Sequence, residues 1–207
     1  MKYKMEGIEM EHIVTASFVF LNLFMVLGAV DLFYFHIWKY KLHTRPESRY
    51  EHKLHMVFAF TMVPLALLLY YQNFGGWALW AGAFFVAAAL GAELFDVFSE
   101  NESRASIGGL STSEYALHVV LTILKVASFA LLFASKPLSA WHLASPLVLG
   151  SYGSMGEVIA LQVAIGSGLV GILHAVLLHP RVARLNCSSI CDLVKCSRFS
   201  CCSASST

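Results

Sequence analysis

The sequence predicts an all-α fold: a polytopic membrane protein built as a bundle of about five transmembrane helices. Three observations predict it. Hydrophobic residues make up 57% of the chain and charged residues only 13%, about half the share of an ordinary soluble domain. Mean hydropathy is +0.66, more apolar surface than a core of 207 residues can hide from water. The apolar residues also fall in five runs of roughly the 20 residues that cross a hydrocarbon layer. A soluble enzyme, a disordered chain and a disulfide-stapled secreted domain are excluded on these grounds. Lys and Arg number 14 against 13 Asp and Glu, so charge makes no case for nucleic acid or an acidic partner.

The elements follow in order. Residues 1–12 read as an extracytoplasmic N-terminal tail, and the bundle takes 13–180. The first span, about 13–38, is too long for a signal-peptide core and no small-residue cleavage site follows it. Residues 39–53 are polar and basic, and Pro46 breaks any continuous helix there. The second span, about 52–71, starts its apolar run at His55 and contains Pro64, which should bend it without ending it. A tight turn at 72–76 leads to the third span, about 77–98. The polar stretch 99–113 holds Gly108-Gly109 and runs into Ser111-Thr112-Ser113-Glu114, a capping box that starts the fourth span, about 114–134. A longer loop with Pro137 and Pro146 precedes the fifth span, about 157–178. Gly166, Gly168 and Gly171 within it predict close packing inside the bundle or at a dimer seam.

Basic residues set the orientation. The face reached after the first span collects Lys39, Lys41, Arg45, Arg49, Lys53, Arg104, Arg181, Arg184, Lys195 and Arg198. The other face has only Lys2, Lys4 and Lys136. An integral, multi-pass protein with its N-terminus outside and its C-terminus in the cytoplasm follows. Residues 181–207 then form a cytoplasmic Ser/Cys-rich tail, read as disordered, that holds Cys187, Cys191, Cys196, Cys201 and Cys202. Reduced thiols are expected there, and the spacing has no C-x-x-C pair for zinc. Palmitoylation is the modification such cysteines admit. The sequons at Asn101 and Asn186 fall on the same face and stay unused.

The ionisable residues gather at that face. Asp31 and His36 close the first helix, Glu51, His52 and His55 open the second, and Glu93, Asp96 and Glu100 close the third. Glu114 and His118 open the fourth, and His174 ends the fifth. Glu51/His55 and Glu114/His118 are four apart, and Glu93, Asp96 and Glu100 fall at i, i+3 and i+7, so each set shares a helix face. Lys125 continues the stripe of the fourth helix. A charge at membrane depth costs on the order of 3 kcal/mol, so such groups turn inward and find partners.

A mixed imidazole and carboxylate shell suits a divalent or dinuclear metal site of Fe, Mn or Zn. The proposed ligands are His55, His118, Glu51, Glu93, Asp96 and Glu114, with Asp31, His36 and His174 as second choices. The histidine boxes of membrane desaturases and hydroxylases are absent. The expectation is a metal-dependent membrane enzyme, an oxidoreductase acting on a lipid or other apolar substrate, or a hydrolase if the ion is zinc. Its expected partners are the lipid bilayer and an apolar small molecule, with no nucleic acid; a homo-oligomer or a larger membrane complex stays open. Two alternatives use the same residues: a non-enzymatic subunit binding haem or quinone, and a proton or ion pathway through Asp31, Glu93, Asp96, His118 and Lys125.

Overall fold

Five long helices carry the chain in the computed structural model, which describes residues 2–179 and residue 182. They are α1 (Lys2–Val30), α2 (Arg49–Leu69), α3 (Gly76–Ser103), α4 (Thr112–Ala134) and α5 (Gly153–Leu178). A π-helical segment, Asp31–Lys39, prolongs α1, and short 3-10 turns fill the linkers. The cysteines of the tail, and the basic residues at 181, 184, 195 and 198, lie outside the described residues.

All five helices are long and apolar enough to cross a membrane. Only 22% to 33% of each apolar window is buried inside the bundle. The outer faces therefore stay apolar, as with Val19, Leu23 and Val26 on α1 and Ile165, Leu169 and Ile172 on α5. Surfaces of that kind suit hydrocarbon and are rare against water.

Local chemistry explains most boundaries. The Ser111 hydroxyl caps α4 by accepting from the Glu114 N–H at 3.3 Å. Pro64 sits inside α2, which continues through it to Leu69. Gly76 opens α3 at a φ of 58°, where a Cβ would stand 2.8 Å from the Ser145 carbonyl oxygen, so only glycine fits. The helix of the first span begins well ahead of its apolar run, at Lys2, because 2–12 is rich in Lys, Met and Glu and has no proline. The expected turn at 72–76 holds a strand, β1 (Asn73–Phe74), paired antiparallel with β2 (Val148–Gly150) from the long loop.

Packing divides the bundle into two halves. α2 packs along α3 and α5, α1 packs along α4, and α1 meets α5 more lightly. The apolar core fills the half nearest the β1–β2 pair, with Phe18, Leu21, Leu65, Leu69, Leu79, Leu132 and Ala160. Two reciprocal hydrogen bonds tie α1 to α4 there, Ser17 Oγ to the Ser128 carbonyl at 2.8 Å and Ser128 Oγ to the Ser17 carbonyl at 2.7 Å. Lys136 closes this end, its Nζ donating to Asn73 Oδ1 at 2.6 Å, the Phe74 carbonyl at 3.1 Å and the Tyr152 hydroxyl at 2.8 Å. The opposite half, where α1 ends and α2 begins, is polar and partly hollow.

Candidate functional site

The π-helical segment positions the first two side chains. Its hydrogen bonds run i→i+5, as the Tyr40 N–H to the Phe35 carbonyl shows at 2.9 Å. Residues five apart diverge on an α-helix, but this wider winding brings them to one side. Asp31, Leu32, Phe35 and His36 form its buried face. His36 Nε2 consequently lies 3.5 Å from Asp31 Oδ2. Wide turns of this kind are uncommon and are frequently found at functional sites.

Three further helices bring imidazoles to this pair. From α4, His118 places Nε2 3.3 Å from Asp31 Oδ2 and Nδ1 2.8 Å from Glu100 Oε1. From α2, the His55 ring stacks on His36 with centroids 5.0 Å apart and 3° between planes. His55 Nε2 is 2.8 Å from Asp96 Oδ2 of α3. Behind them, His52 and the α5 residue His174 share a hydrogen bond between their Nδ1 atoms at 3.0 Å. Asp31, His36 and His118 offer ligand atoms within 4.8 Å of one another, and so do His36, Glu51 and His55. A cation held about 2.0–2.2 Å from each donor requires that kind of spacing.

Arg104 is the fixed positive charge of the cluster. Its side chain is fully buried at the end of α3. It donates to Glu51, to Glu114 Oε1 at 2.6 Å and to Ser103 Oγ at 2.6 Å, and its Nη2 lies 3.3 Å from His36 Nε2. Ser103 donates in turn to Glu51. Burial works to lower the guanidinium pKa, but Glu51 and Glu114 outweigh it and hold the value above the usual one. The cluster holds five buried carboxylates: Glu51 and Glu114 against this guanidinium, and Asp31, Asp96 and Glu100 against the imidazoles. Asp31 Oδ1, His36 Nδ1, Asp96 Oδ1 and Glu114 Oε2 are buried with no hydrogen-bond partner.

A cavity of about 470 Å³ abuts the cluster. Asp31, His36, His55, Asp96, Glu100 and His118 form its polar end, and Phe24, Phe58, Leu121 and Leu173 are among its apolar walls. Its volume falls in the range of about 300–1,000 Å³ typical of small-molecule sites.

The candidate residues are thus separated into groups. Asp31, His36, His55, Glu93, Asp96, His118 and His174 line the cavity, whereas Glu51 and Glu114 stand against Arg104. Glu93 is committed to other partners within that lining, accepting from Thr122 Oγ1 at 2.6 Å and pairing with Lys125, whose Nζ lies 4.6 Å from the Phe58 ring centroid. Glu100, His52 and Arg104, which the sequence does not place among the proposed ligands, are buried in the cluster. One signal did point to Glu100 and Arg104: with Asp96 they fall four apart, a single stripe along the end of α3.

No protein-family model, curated protein or solved structure matches this chain. Its function must be argued from the site.

Proposed function

We propose that this chain is a membrane-embedded, metal-dependent enzyme, an oxidoreductase acting on a lipid or another apolar molecule. We place its N-terminus outside and its histidine end towards the cytoplasm, following the excess of Lys and Arg at 39–53 and 104 over Lys2, Lys4 and Lys136 at the other end. One observation carries the functional reading: five buried carboxylates and a single buried guanidinium gather beside an apolar cavity, and two of the five pair with that guanidinium. Protons on His55 and His118 still leave that balance negative. Unbalanced charge in a low-dielectric interior is costly, and a divalent cation removes the excess.

Asp31, His36 and His118 would hold the ion, with Glu51 and His55 on the other side of His36. Fe, Mn or Zn fits this mixture of nitrogen and oxygen donors. When bound, the ion supplies redox or Lewis-acid chemistry next to the cavity. Asp96 and Glu100 orient His55 and His118 by accepting from the imidazoles at 2.8 Å. His118 has a carboxylate on each ring nitrogen, so metal uptake at Nε2 releases a proton.

The test is thermal unfolding of detergent-purified, EDTA-treated protein titrated with Fe²⁺, Mn²⁺ or Zn²⁺. A ligand that binds the folded state alone raises the Tm, by about 2.7 kcal/mol of stability at a hundredfold excess over Kd. One of these ions should raise the Tm of the wild type and leave that of His36→Ala unchanged. If none shifts the wild-type Tm, the metal reading fails.

A second reading is favoured by Arg104, which satisfies Glu51 and Glu114 without any metal. The cluster would then serve as a proton path, entered through the Glu93–Lys125 pair. Proton flux into reconstituted vesicles, lost in Lys125→Met, distinguishes it.

A further inference from the structure

The cavity's side walls differ. Between α3 and α4 the backbones stay apart, but polar side chains bridge the gap, Glu93 to Thr122 and Lys125, and Glu100 to His118. Between α1 and α5 the bridge beside the cavity is weaker, Ser167 Oγ to Met25 Sδ at 3.9 Å, and two of the residues near the gap are glycines. A Cβ on Gly28 of α1 would meet nothing within 4 Å, and one on Gly166 of α5 would meet only Met25 Cε at 3.3 Å. Phe33 and Leu169 line the cavity and yet are 56% and 63% exposed on the outside of the bundle. Residues with both properties mark an opening. Val97 of α3 shares them at 53% exposed, but it stands on the helix face of Glu93 and Glu100, which bridge to α4. The opening lies within the apolar spans of α1 and α5, so it faces hydrocarbon.

The shape and the polar end narrow the occupant. From Gly166 to His174 the cavity extends about 12 Å along α5, parallel to the way a lipid chain lies. At its end, Asp31 Oδ1 and Asp96 Oδ1 are buried acceptors without donors. Lys125 also lines the cavity but is paired with Glu93, so the remaining surplus of carboxylates disfavours an anionic head and suits a neutral group that donates a hydrogen bond.

We infer that the cavity takes a medium- or long-chain alcohol from the bilayer, sideways through the seam between α1 and α5. The hydroxyl lies against Asp31 and Asp96, and the chain extends past Phe24 and Gly166. This rests on the reading above that the cavity's polar end is the reacting site.

The probe is 1-decanol carrying a terminal diazirine, added to the protein in phosphatidylcholine vesicles and photolysed, with labelled residues located by mass spectrometry. Labelling of 24–29 and 166–173 should saturate, and excess 1-decanol should compete it away while excess decanoate does not. Gly28→Phe combined with Gly166→Phe should lose the saturable labelling, and Gly28→Ala should keep it. Labelling that never saturates, or that decanoate competes equally well, overturns the inference. So does a folded Gly28→Phe/Gly166→Phe variant with undiminished labelling. Should that variant not fold, the competition in the wild type decides alone. Metal content measured on the same samples separates the two readings: saturable labelling of metal-free protein removes only the metal, and metal without saturable labelling removes only the portal.

Discussion

Arg104 joins three helices through one side chain. It binds Glu51 of α2 and Glu114 of α4 from the end of α3, with its charge fully buried. Removing one partner from a buried pair strands the other charge, at a cost of about 3–5 kcal/mol. Arg104→Met should therefore lower the Tm sharply, whereas Glu102→Gln, an exposed neighbour, should leave it unchanged. Chemical or thermal denaturation of the two variants checks this. At the far end of the bundle, burial pushes the Lys136 ammonium down from its ordinary 10.5 to about 8. Between those values the unfolded chain binds more protons than the folded one. Stability therefore rises with pH from about 8 to 10.5, and the penalty is complete below 8. A pH series of Tm should show this rise in wild type and not in Lys136→Met. The positions of these charges were legible in the sequence, because carboxylates and imidazoles at helix ends are conspicuous among apolar runs. Their pairings were not. Glu51 and His55 share a face, yet one binds Arg104 and the other Asp96, since the partners come from helices whose order around the bundle differs from their order in the chain.

The five helices were legible because an apolar run of membrane length leaves the backbone few alternatives to internal hydrogen bonding. The capping box at Ser111 was legible as well, in half of its usual form: the serine caps the helix, but the Glu114 side chain turns to Arg104. The π-helical segment was not legible, since its residues fit an α-helical pattern equally well and only tertiary packing selects the wider turn. β1 and β2 were hidden because strands of two and three residues carry no alternation to detect. The glycines of α5 can be tested one by one. A Cβ on Gly171 would lie 2.9 Å from the Phe60 ring, whereas one on Gly168 would lie 3.8 Å from Val63, an ordinary contact. Gly171→Ala should destabilise by about 1–3 kcal/mol through overpacking. Gly168→Ala should be neutral or stabilising, by up to about 1 kcal/mol from helix propensity. Opposite shifts in Tm are the expected result.

At the scale of the whole molecule, the two halves of the bundle do different work. Phe18, Leu65, Leu69, Leu79 and Leu132 pack one half into a core. The other half leaves about 470 Å³ of space beside a buried cluster of carboxylates and imidazoles, with Asp31, Asp96, Glu100, His36, His55 and His118 in its lining. Such an end is expensive to maintain for stability alone, and a bound cation is the account's reason for it. The measurement that tests this most directly is metal content of detergent-purified protein by inductively coupled plasma mass spectrometry, with an absorption spectrum of the same sample. Wild type should carry about one Fe, Mn or Zn per chain, retained in Glu93→Gln, whose side chain is committed to Lys125 and Thr122, and lost in His36→Ala and His118→Ala. Folded wild-type protein with no bound metal, or metal retained in both histidine variants, would contradict the account.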